Sequence, residues 1–129
     1  MKLSIITVTW NSASHIIDQI QSVEAAANGI DYEHIIIDNG SHDETVAKIR
    51  EHFPKMRIIG NKYNRGFAAA NNIGYQASRG EYVLFLNPDT LLRSETLFSW
   101  IEHMDEMPKT VISGPRLISE SGERNEEAD

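Results

Sequence analysis

Segments with strand-like and helix-like patterns alternate along this chain of 129 residues, and this alternation constrains its fold more than any other feature. Short runs rich in β-branched residues predict five strands. These strands are expected to end near Thr9, Ile37, Ile59, Leu86 and Ser113. Crossover helices between strands are typical of parallel sheets with helices on their faces. The sequence therefore predicts an α/β protein, a three-layer α/β/α sandwich with a mostly parallel sheet.

Helical spacing of apolar residues predicts helices at about residues 16–27, 41–52, 67–78 and 94–107. Ser41 and Glu44 match the S-x-x-E capping box, which predicts that the second helix begins at Ser41. Gly80 is placed to end the third helix. The third helix also carries a stripe of residues that we expect to pack: Phe67, Ala70, Ile73 and Ala77. We expect both tryptophans to pack as well: Trp10 and Trp100.

The chain carries a formal net charge of −7 and has no cysteine. An acidic surface repels nucleic-acid phosphates, so we expect no nucleic-acid partner. Absence of cysteine excludes disulfides and suits a reducing compartment, so we expect a cytoplasmic protein that partners could hold at the inner face of the membrane. The apolar runs are shorter than the ~18 residues that a membrane helix needs, so no membrane-spanning segment is expected.

Residues 119–129 are polar and acidic and show no periodicity. Segments of this composition bury too little apolar surface to become ordered by themselves. We therefore expect residues 1–118 to form one domain and residues 119–129 to form a frayed polar tail.

Three turns rich in acidic and amide side chains follow the predicted strands: Thr9-Trp10-Asn11, Asp38-Asn39-Gly40-Ser41 and Asn87-Pro88-Asp89. The carboxyl ends of parallel strands lie at one edge of the sheet, so the three turns are expected to converge. Open α/β sheets bind their ligands at this edge. The sequence thus places a candidate binding site at the carboxyl edge of the sheet.

Asp38 and Asp89 lie in these turns, and each has a functional and a structural interpretation. The Asp38 carboxylate suits the imide N–H of a uracil or thymine ring because it only accepts hydrogen bonds. An Asx-turn ahead of the next helix explains Asp38 about as well. A lone carboxylate at Asp89 suits a divalent cation that also holds phosphate oxygens. Asn-Pro-Asp is, equally, ordinary turn chemistry.

Asn64-Arg65-Gly66 precedes the third predicted helix. Free backbone N–H groups at a helix start, together with a guanidinium, make a reasonable anion site. An exposed arginine in a turn is the simpler alternative. The five histidines lack metal-ligand spacing, so we expect them to be surface or helix residues rather than ligands.

Four motifs occur in order along the chain: residues 4–11 (SIITVTWN), 36–43 (IIDNGSHD), 64–74 (NRGFAAANNIG) and 86–90 (LNPDT). In order and approximate spacing they resemble the nucleotide-sugar-binding half of inverting family-2 glycosyltransferases with the GT-A fold. The likeness is greatest to the rhamnosyltransferase-like branch, and it covers the chain to about Leu117. Four ordered motifs are far more specific than any one of them.

The resemblance implies a role for each matching position. Asp38 would bind the base, and Arg65 would face the base or the phosphates of the donor. The implied nucleotide-binding set is Thr7, Val8, Thr9, Asn11, Asp38, Asn39, Gly40, Arg65, Gly66 and Asn87. Asn87-Pro88-Asp89 stands where the family has its D-x-D motif, so Asp89 would bind the metal, Mg²⁺ or Mn²⁺. Asn87 replaces the first acid of that motif.

The implied function is binding of a UDP- or dTDP-sugar for inverting hexosyl or rhamnosyl transfer to a saccharide or lipid-linked acceptor. In the family, the general base belongs to an acceptor-binding half that follows the fifth strand. This chain ends at Asp129, so we expect a truncated protein, poorly active or inactive alone, and we assign no catalytic residue. A non-catalytic nucleotide-sugar-binding module is the alternative. A signalling receiver domain does not fit, because Thr9-Trp10-Asn11 stands where that class needs an acidic pair.

Overall fold

A computed structural model describes residues 1–107 of the chain as four strands and four helices. In chain order they are β1 (Leu3–Thr9), α1 (Ile16–Ala26), β2 (Tyr32–Asp38), α2 (Thr45–His52), β3 (Arg57–Gly60), α3 (Phe67–Ala77), β4 (Tyr82–Phe85) and α4 (Thr96–Glu106). The predicted fifth strand, the 1–118 domain boundary and the 119–129 tail lie outside the described residues. Within residues 1–107, no helix is long and apolar enough to cross a membrane.

The four strands form one sheet in the order β3-β2-β1-β4, and every neighbouring pair is parallel. Thr9 pairs with Asp38, and Asp38 pairs with Gly60, so three strands end side by side. On the other side of β1, the Leu86 N–H donates to the Ile6 carbonyl at 2.9 Å. The predicted parallel α/β architecture is confirmed. The chain reverses its direction of progress across the sheet between β1 and β4, which makes this the topological switch point.

Helices cover both faces of the sheet, as expected for a three-layer sandwich. Alternate residues of a strand point to opposite faces. Ile6 and Val8 of β1 therefore pack in the α3 layer, whereas Ile5 packs in the layer that contains α1. Ile5 and Ile6 are both fully buried. Burying one such side chain stabilises the folded state by about 1.5–3 kcal/mol. The apolar layers on the two faces therefore hold the sheet in place and position its carboxyl edge.

The capping-box prediction at Ser41 is wrong, because α2 begins at Thr45 and Glu44 makes no side-chain cap. The Ser41 hydroxyl instead donates to Asp38 Oδ1 at 2.7 Å. Asp43 Oδ1 accepts the Thr45 N–H at 3.0 Å. The Ser41 oxygen accepts the Asn11 N–H at 2.9 Å, so it is occupied by a partner other than the helix. Its proton makes a charge-assisted bond to Asp38, which is stronger than a bond between neutral groups. The Ser41 hydroxyl is thus bonded to Asp38, and Asp43 accepts the N–H group at the start of α2.

Gly80 does not end the third helix, which already ends at Ala77. Its N–H donates to Ser4 Oγ at 2.7 Å, and a Cβ at this position would come within 2.4 Å of the Ser4 nitrogen. Gly80 is therefore required by the close approach of the chain to β1, which is a tertiary contact.

Two aromatic side chains that were expected to pack are more than half exposed: Trp10 at 51% and Phe67 at 58%. Trp10 follows the last residue of β1, and Phe67 is the first residue of α3. Both lie at ends of elements, where helical or strand periodicity no longer decides what covers a side chain. The rest of the predicted α3 stripe packs in the core: Ala70, Ile73 and Ala77.

Candidate functional site

The turns after the strands converge at the carboxyl edge of the sheet, as predicted. The Asn39 N–H donates to the Thr9 carbonyl and the Asn61 N–H donates to the Asp38 carbonyl, both at 2.8 Å. The Gln19 side chain joins the turn after β4 to this group, because its Nε2 donates to the Asn87 carbonyl at 3.3 Å. Ligands of open α/β sheets bind at this edge, in the crevice at the switch point.

Asp38 is almost enclosed by its neighbours and is 5% exposed. Its Oδ1 accepts hydrogen bonds from Thr9 Oγ1 at 2.8 Å and from Ser41 Oγ at 2.7 Å. Its Oδ2 accepts the Ser41 N–H at 3.0 Å, a local bond to the backbone three residues on, one residue further than in an Asx-turn. A carboxylate offers about four lone-pair positions, so three bonds leave room for one further donor. Asp38 therefore has a local structural role, although not as an Asx-turn, and one acceptor position remains for a further donor.

Asn11 and Asp43 fasten the turn after β1 to the turn after β2. Asn11 has φ 50°, and its Oδ1 accepts the N–H groups of His42 at 2.9 Å and Asp43 at 3.3 Å. Asp43 also accepts hydrogen bonds from Thr45 and Ala13. Partial burial raises the pKa of Asp43, but these bonds outweigh it and hold the pKa below its usual value. The Asn11 amide oxygen is thus occupied by hydrogen bonds to the turn after β2.

Asn39 organises the loop that contains Arg65, and it is 2% exposed. Its Nδ2 donates to Asn64 Oδ1 at 2.9 Å and to the Gly66 carbonyl at 3.2 Å. Its Oδ1 accepts the Arg65 N–H at 3.0 Å and Asn61 Nδ2 at 3.1 Å. The amide of Asn39 is therefore used by the protein, and its part in a binding site is to shape the 61–66 loop.

Two glycines of the predicted site have backbone conformations that favour glycine. Gly40 has φ +83°, and a Cβ there would come within 2.9 Å of Tyr63 Cα. Gly66, at the start of α3, has φ +88° with open space around it. Gly40 thus lets the 61–66 loop lie directly against the turn that follows Asp38.

The Arg65 guanidinium is exposed beside the start of α3 and lies 5.2 Å from the centre of the Tyr63 ring. Within residues 1–107 it makes no ion pair. A cation over an aromatic face is attracted to the ring while its hydrogen-bond donors remain available. Arg65 can therefore meet an anionic group at the carboxyl edge.

The side chains of Thr7, Val8 and Thr9 are all buried. Val8 packs in the α3 layer, and the Thr9 hydroxyl is used by Asp38. These residues lie beneath the site, and their side chains form a floor rather than an exposed lining.

Asn87 and Asp89 form an open turn after β4, and both are exposed. The Thr90 N–H donates to the Asn87 carbonyl at 3.2 Å, which closes a β-turn with Pro88 and Asp89 at its centre. Among residues 1–107, no group of three or more His, Cys, Asp or Glu side chains could hold a metal. One exposed carboxylate instead fits the kind of Mg²⁺ or Mn²⁺ site that substrate phosphates and water complete.

Two buried polar residues beneath the site were missed by the sequence analysis. Gln19 Nε2 donates to Thr7 Oγ1 at 2.8 Å. His34 Nε2 is bonded to the same oxygen, also at 2.8 Å. Burial lowers the pKa of His34 to about 4, so it is neutral at pH 7. His34 is therefore a buried residue of the second strand rather than a surface or helix residue. For Gln19, the sequence did offer a signal, because it is a polar residue between Ile16 and Ile20 on the buried face of α1.

The structure is a parallel α/β domain of the class that binds ligands at the carboxyl edge of the sheet, and comparison with known proteins identifies the family. A family model described as Glycosyl transferase family 2 matches residues 4–128. The chain belongs to glycosyl transferase family 2, which confirms the family that its motifs resemble.

Among curated relatives, the poly(ribitol-phosphate) β-N-acetylglucosaminyltransferase TarP of Staphylococcus aureus (strain N315) is 34% identical over 125 residues, which are 94% of this chain and 38% of that protein. Among solved structures, S. aureus TarS 1-349 in complex with UDP-GlcNAc has a TM-score of 0.74 at 26% identity, covering 82% of this chain and 32% of that one. The mannosyltransferase PcManGT from Pyrobaculum calidifontis, solved with GDP-Man and Mn²⁺, shares the fold with a TM-score of 0.73 at 24% identity, covering 80% and 32%. This chain spans about a third of the length of the curated relatives it matches.

Proposed function

We propose that the carboxyl edge of this sheet binds a UDP- or dTDP-sugar, as the donor region of an inverting glycosyltransferase. The observation that carries the proposal is the convergence of Asp38, Arg65 and Asp89 at one edge, beside the switch point. The UDP-GlcNAc complex of the similar TarS structure supports a uridine donor in particular. The transferred group is proposed to be a hexosyl or rhamnosyl group, and the acceptor a saccharide or a lipid-linked saccharide.

Asp38 would accept the imide N–H of the uracil or thymine ring at the free lone pair of Oδ2. The buried Thr7, Val8 and Thr9 would form the floor beneath the nucleoside. Arg65 and the start of α3 would face the phosphates, since a helix start and a guanidinium both favour anions. The remaining positions of the proposed set shape the turns around the donor: Asn11, Asn39, Gly40, Gly66 and Asn87.

Asp89 is the residue that we propose as the protein's carboxylate ligand for Mg²⁺ or Mn²⁺. When bound, such a cation supplies positive charge to the diphosphate leaving group. The exposure of Asp89 leaves its carboxylate accessible to a ligand from the solvent side. We further propose a cytoplasmic location, with any attachment to the inner face of the membrane made through partners. The chain's lack of cysteine suits such a compartment.

Thermal unfolding with UDP-, dTDP- and GDP-sugars, each with and without Mn²⁺, tests the proposed donor. A ligand that binds only the native state adds about 2.7 kcal/mol of stability at a hundredfold excess over its Kd. We expect the UDP or dTDP series to raise the melting temperature more than the GDP series. Equal melting temperatures in all samples would contradict donor binding. Binding without any sugar transfer to saccharide acceptors would instead favour a non-catalytic nucleotide-sugar-binding module.

A further inference from the structure

The segment that contains Asp89 is held from beneath by α1 at two points. Gln19 Nε2 donates to the Asn87 carbonyl at 3.3 Å, before Asp89 in the chain. Ser22 Oγ accepts the Leu92 N–H at 3.1 Å, after Asp89 in the chain. Ser22 lies three residues after Gln19 on the same helix, so both side chains point to the same side. The two contacts bracket the turn at 87–90.

Gln19 is placed to connect the two sides of the switch point. Its side chain is fully buried, and the same Nε2 atom also donates to Thr7 Oγ1 at 2.8 Å. Thr7 belongs to β1, and the Asn87 carbonyl follows β4. That carbonyl is also the acceptor of the bond that closes the Asp89 turn. One buried amide therefore fixes the first residue of the turn relative to the floor beneath the nucleoside.

Packing alone does not explain a glutamine at this position. The neighbouring positions on the buried face of α1 are apolar, namely Ile16, Ile20 and Val23. Gln19 Oε1 is buried without a hydrogen-bond partner among the described residues, which is an unfavourable arrangement that an apolar side chain would avoid. A polar residue here is explained if its amide has a positioning role at the edge of the sheet.

We propose that Gln19, assisted by Ser22, is a positioning residue that sets the place of the Asp89 carboxylate relative to the nucleoside floor. The inference rests on the proposed function for its consequence, which is the cation-dependent part of donor binding. Gln19 itself touches neither donor nor cation. Its loss should therefore leave binding of the nucleoside unchanged and weaken only the contribution of Asp89.

The first measurement needs no ligand: amide hydrogen exchange at Thr90 in the wild type and in Gln19→Met. Methionine fills a similar volume, and both former partners keep another bond, Thr7 with His34 and Asn87 with Thr90. We expect Thr90 exchange to become faster by at least roughly threefold, while exchange in β1 stays unchanged. Gln21→Met is the matched control, since Gln21 is exposed on the same helix. Unchanged Thr90 exchange in Gln19→Met would overturn the inference.

The second measurement is the ratio of the UDP Kd without Mn²⁺ to the Kd with Mn²⁺, by calorimetry. Gln19→Met should lower this ratio by at least roughly threefold, whereas in the Asp89→Ala background it should lower it no further, because the two changes affect one interaction. The Kd without Mn²⁺ should stay within about twofold of the wild type. Ser22→Ala provides a second variant with the same expected direction. A ratio that is unchanged in both variants would show that α1 has only a structural role.

The two measurements separate this inference from the proposed function. If the wild type binds no UDP under either condition, the proposed function fails, and the exchange of Thr90 still decides whether Gln19 positions the turn. If UDP binds with a strong Mn²⁺ dependence that Gln19→Met leaves intact, the proposed function stands and the inference fails.

Discussion

The two acids at the carboxyl edge, Asp38 and Asp89, have opposite environments. Asp38 is 5% exposed and accepts three hydrogen bonds from Thr9 and Ser41. Asp89 is exposed, in a turn closed by one backbone bond. We call these the closed side and the open side of the site. A closed side is preorganised for one donor group, whereas an open side is completed by its ligand, as in the proposed cation site.

Gly40→Ala should have the largest effect, and it would break the closed side. The substitution places a β-carbon at φ +83° and within 2.9 Å of Tyr63 Cα, so the 61–66 loop must move. Backbone strain costs about 1–3 kcal/mol and overpacking a similar amount, so we expect a loss of at least about 2 kcal/mol in the free energy of unfolding. Urea denaturation measures this loss.

Gly60→Ala is the matched control, because a Cβ there meets nothing within 4 Å. A glycine at the end of β3 should tolerate alanine with little change in stability. Equal stability of Gly40→Ala and Gly60→Ala would show that the loop does not depend on the close approach at Gly40.

Acid should lower the free energy of unfolding through His34, which is bonded to Thr7 beneath the site. Burial lowers the pKa of His34 to about 4, while its value in the unfolded chain is about 6.5. The unfolded chain therefore binds more protons at intermediate pH, so the stabilisation is complete above about pH 6.5 and is lost as pH falls towards 4. The full loss is about 3 kcal/mol as an upper limit.

Urea denaturation as a function of pH tests the assignment to His34. His34→Leu cannot titrate, so its stability should fall less steeply between pH 6.5 and 4 than that of the wild type. His103→Gln, at the exposed end of α4, should keep the wild-type slope. Parallel curves for the wild type and His34→Leu would remove His34 as the cause.

Asp38→Asn tests whether the closed side binds the base. A hydrogen bond to a charged group contributes about 1.5–3 kcal/mol, so we expect UDP affinity to fall by roughly 10- to 150-fold. Calorimetric titration of UDP measures it. Asp43→Asn is the matched control, since Asp43 lies five residues later and caps α2. The control should lose some stability and keep its UDP affinity. Unchanged affinity in Asp38→Asn would refute base binding by this residue.

Asp89→Ala should have the smallest effect, and it defines the open side. One exposed carboxylate among several ligands of a cation suggests a loss of about tenfold, 1.4 kcal/mol, in UDP affinity with Mn²⁺. Without Mn²⁺ the affinity should be unchanged. Glu95→Ala, an exposed acid before α4, should change neither value. A loss that is the same with and without Mn²⁺ would place Asp89 on the donor itself instead of the cation.

The sequence predicted the four described strands, their parallel pairing and the convergence of the turns, because these follow from local patterns. It missed what depends on distant neighbours. Ser41 was expected to cap a helix, but its hydroxyl oxygen accepts the N–H of Asn11, 30 positions earlier. Gly80 was expected to end a helix, but it lies against Ser4. In each case a tertiary partner competed with a local signal and formed the better contact.

The sequence by itself determined the alternation of strands and helices, the edge at which a ligand would bind, and the residue types at that edge. Only the tertiary structure decided which acid is closed and which is open. That difference depends on partners far apart in the chain, such as Thr9 with Asp38 and Gln19 with Asn87, which are separated by 29 and 68 positions. Periodicity and turn chemistry act over a few residues, whereas burial and hydrogen bonding at a site are set by whichever side chains the packed sheet and helices bring together.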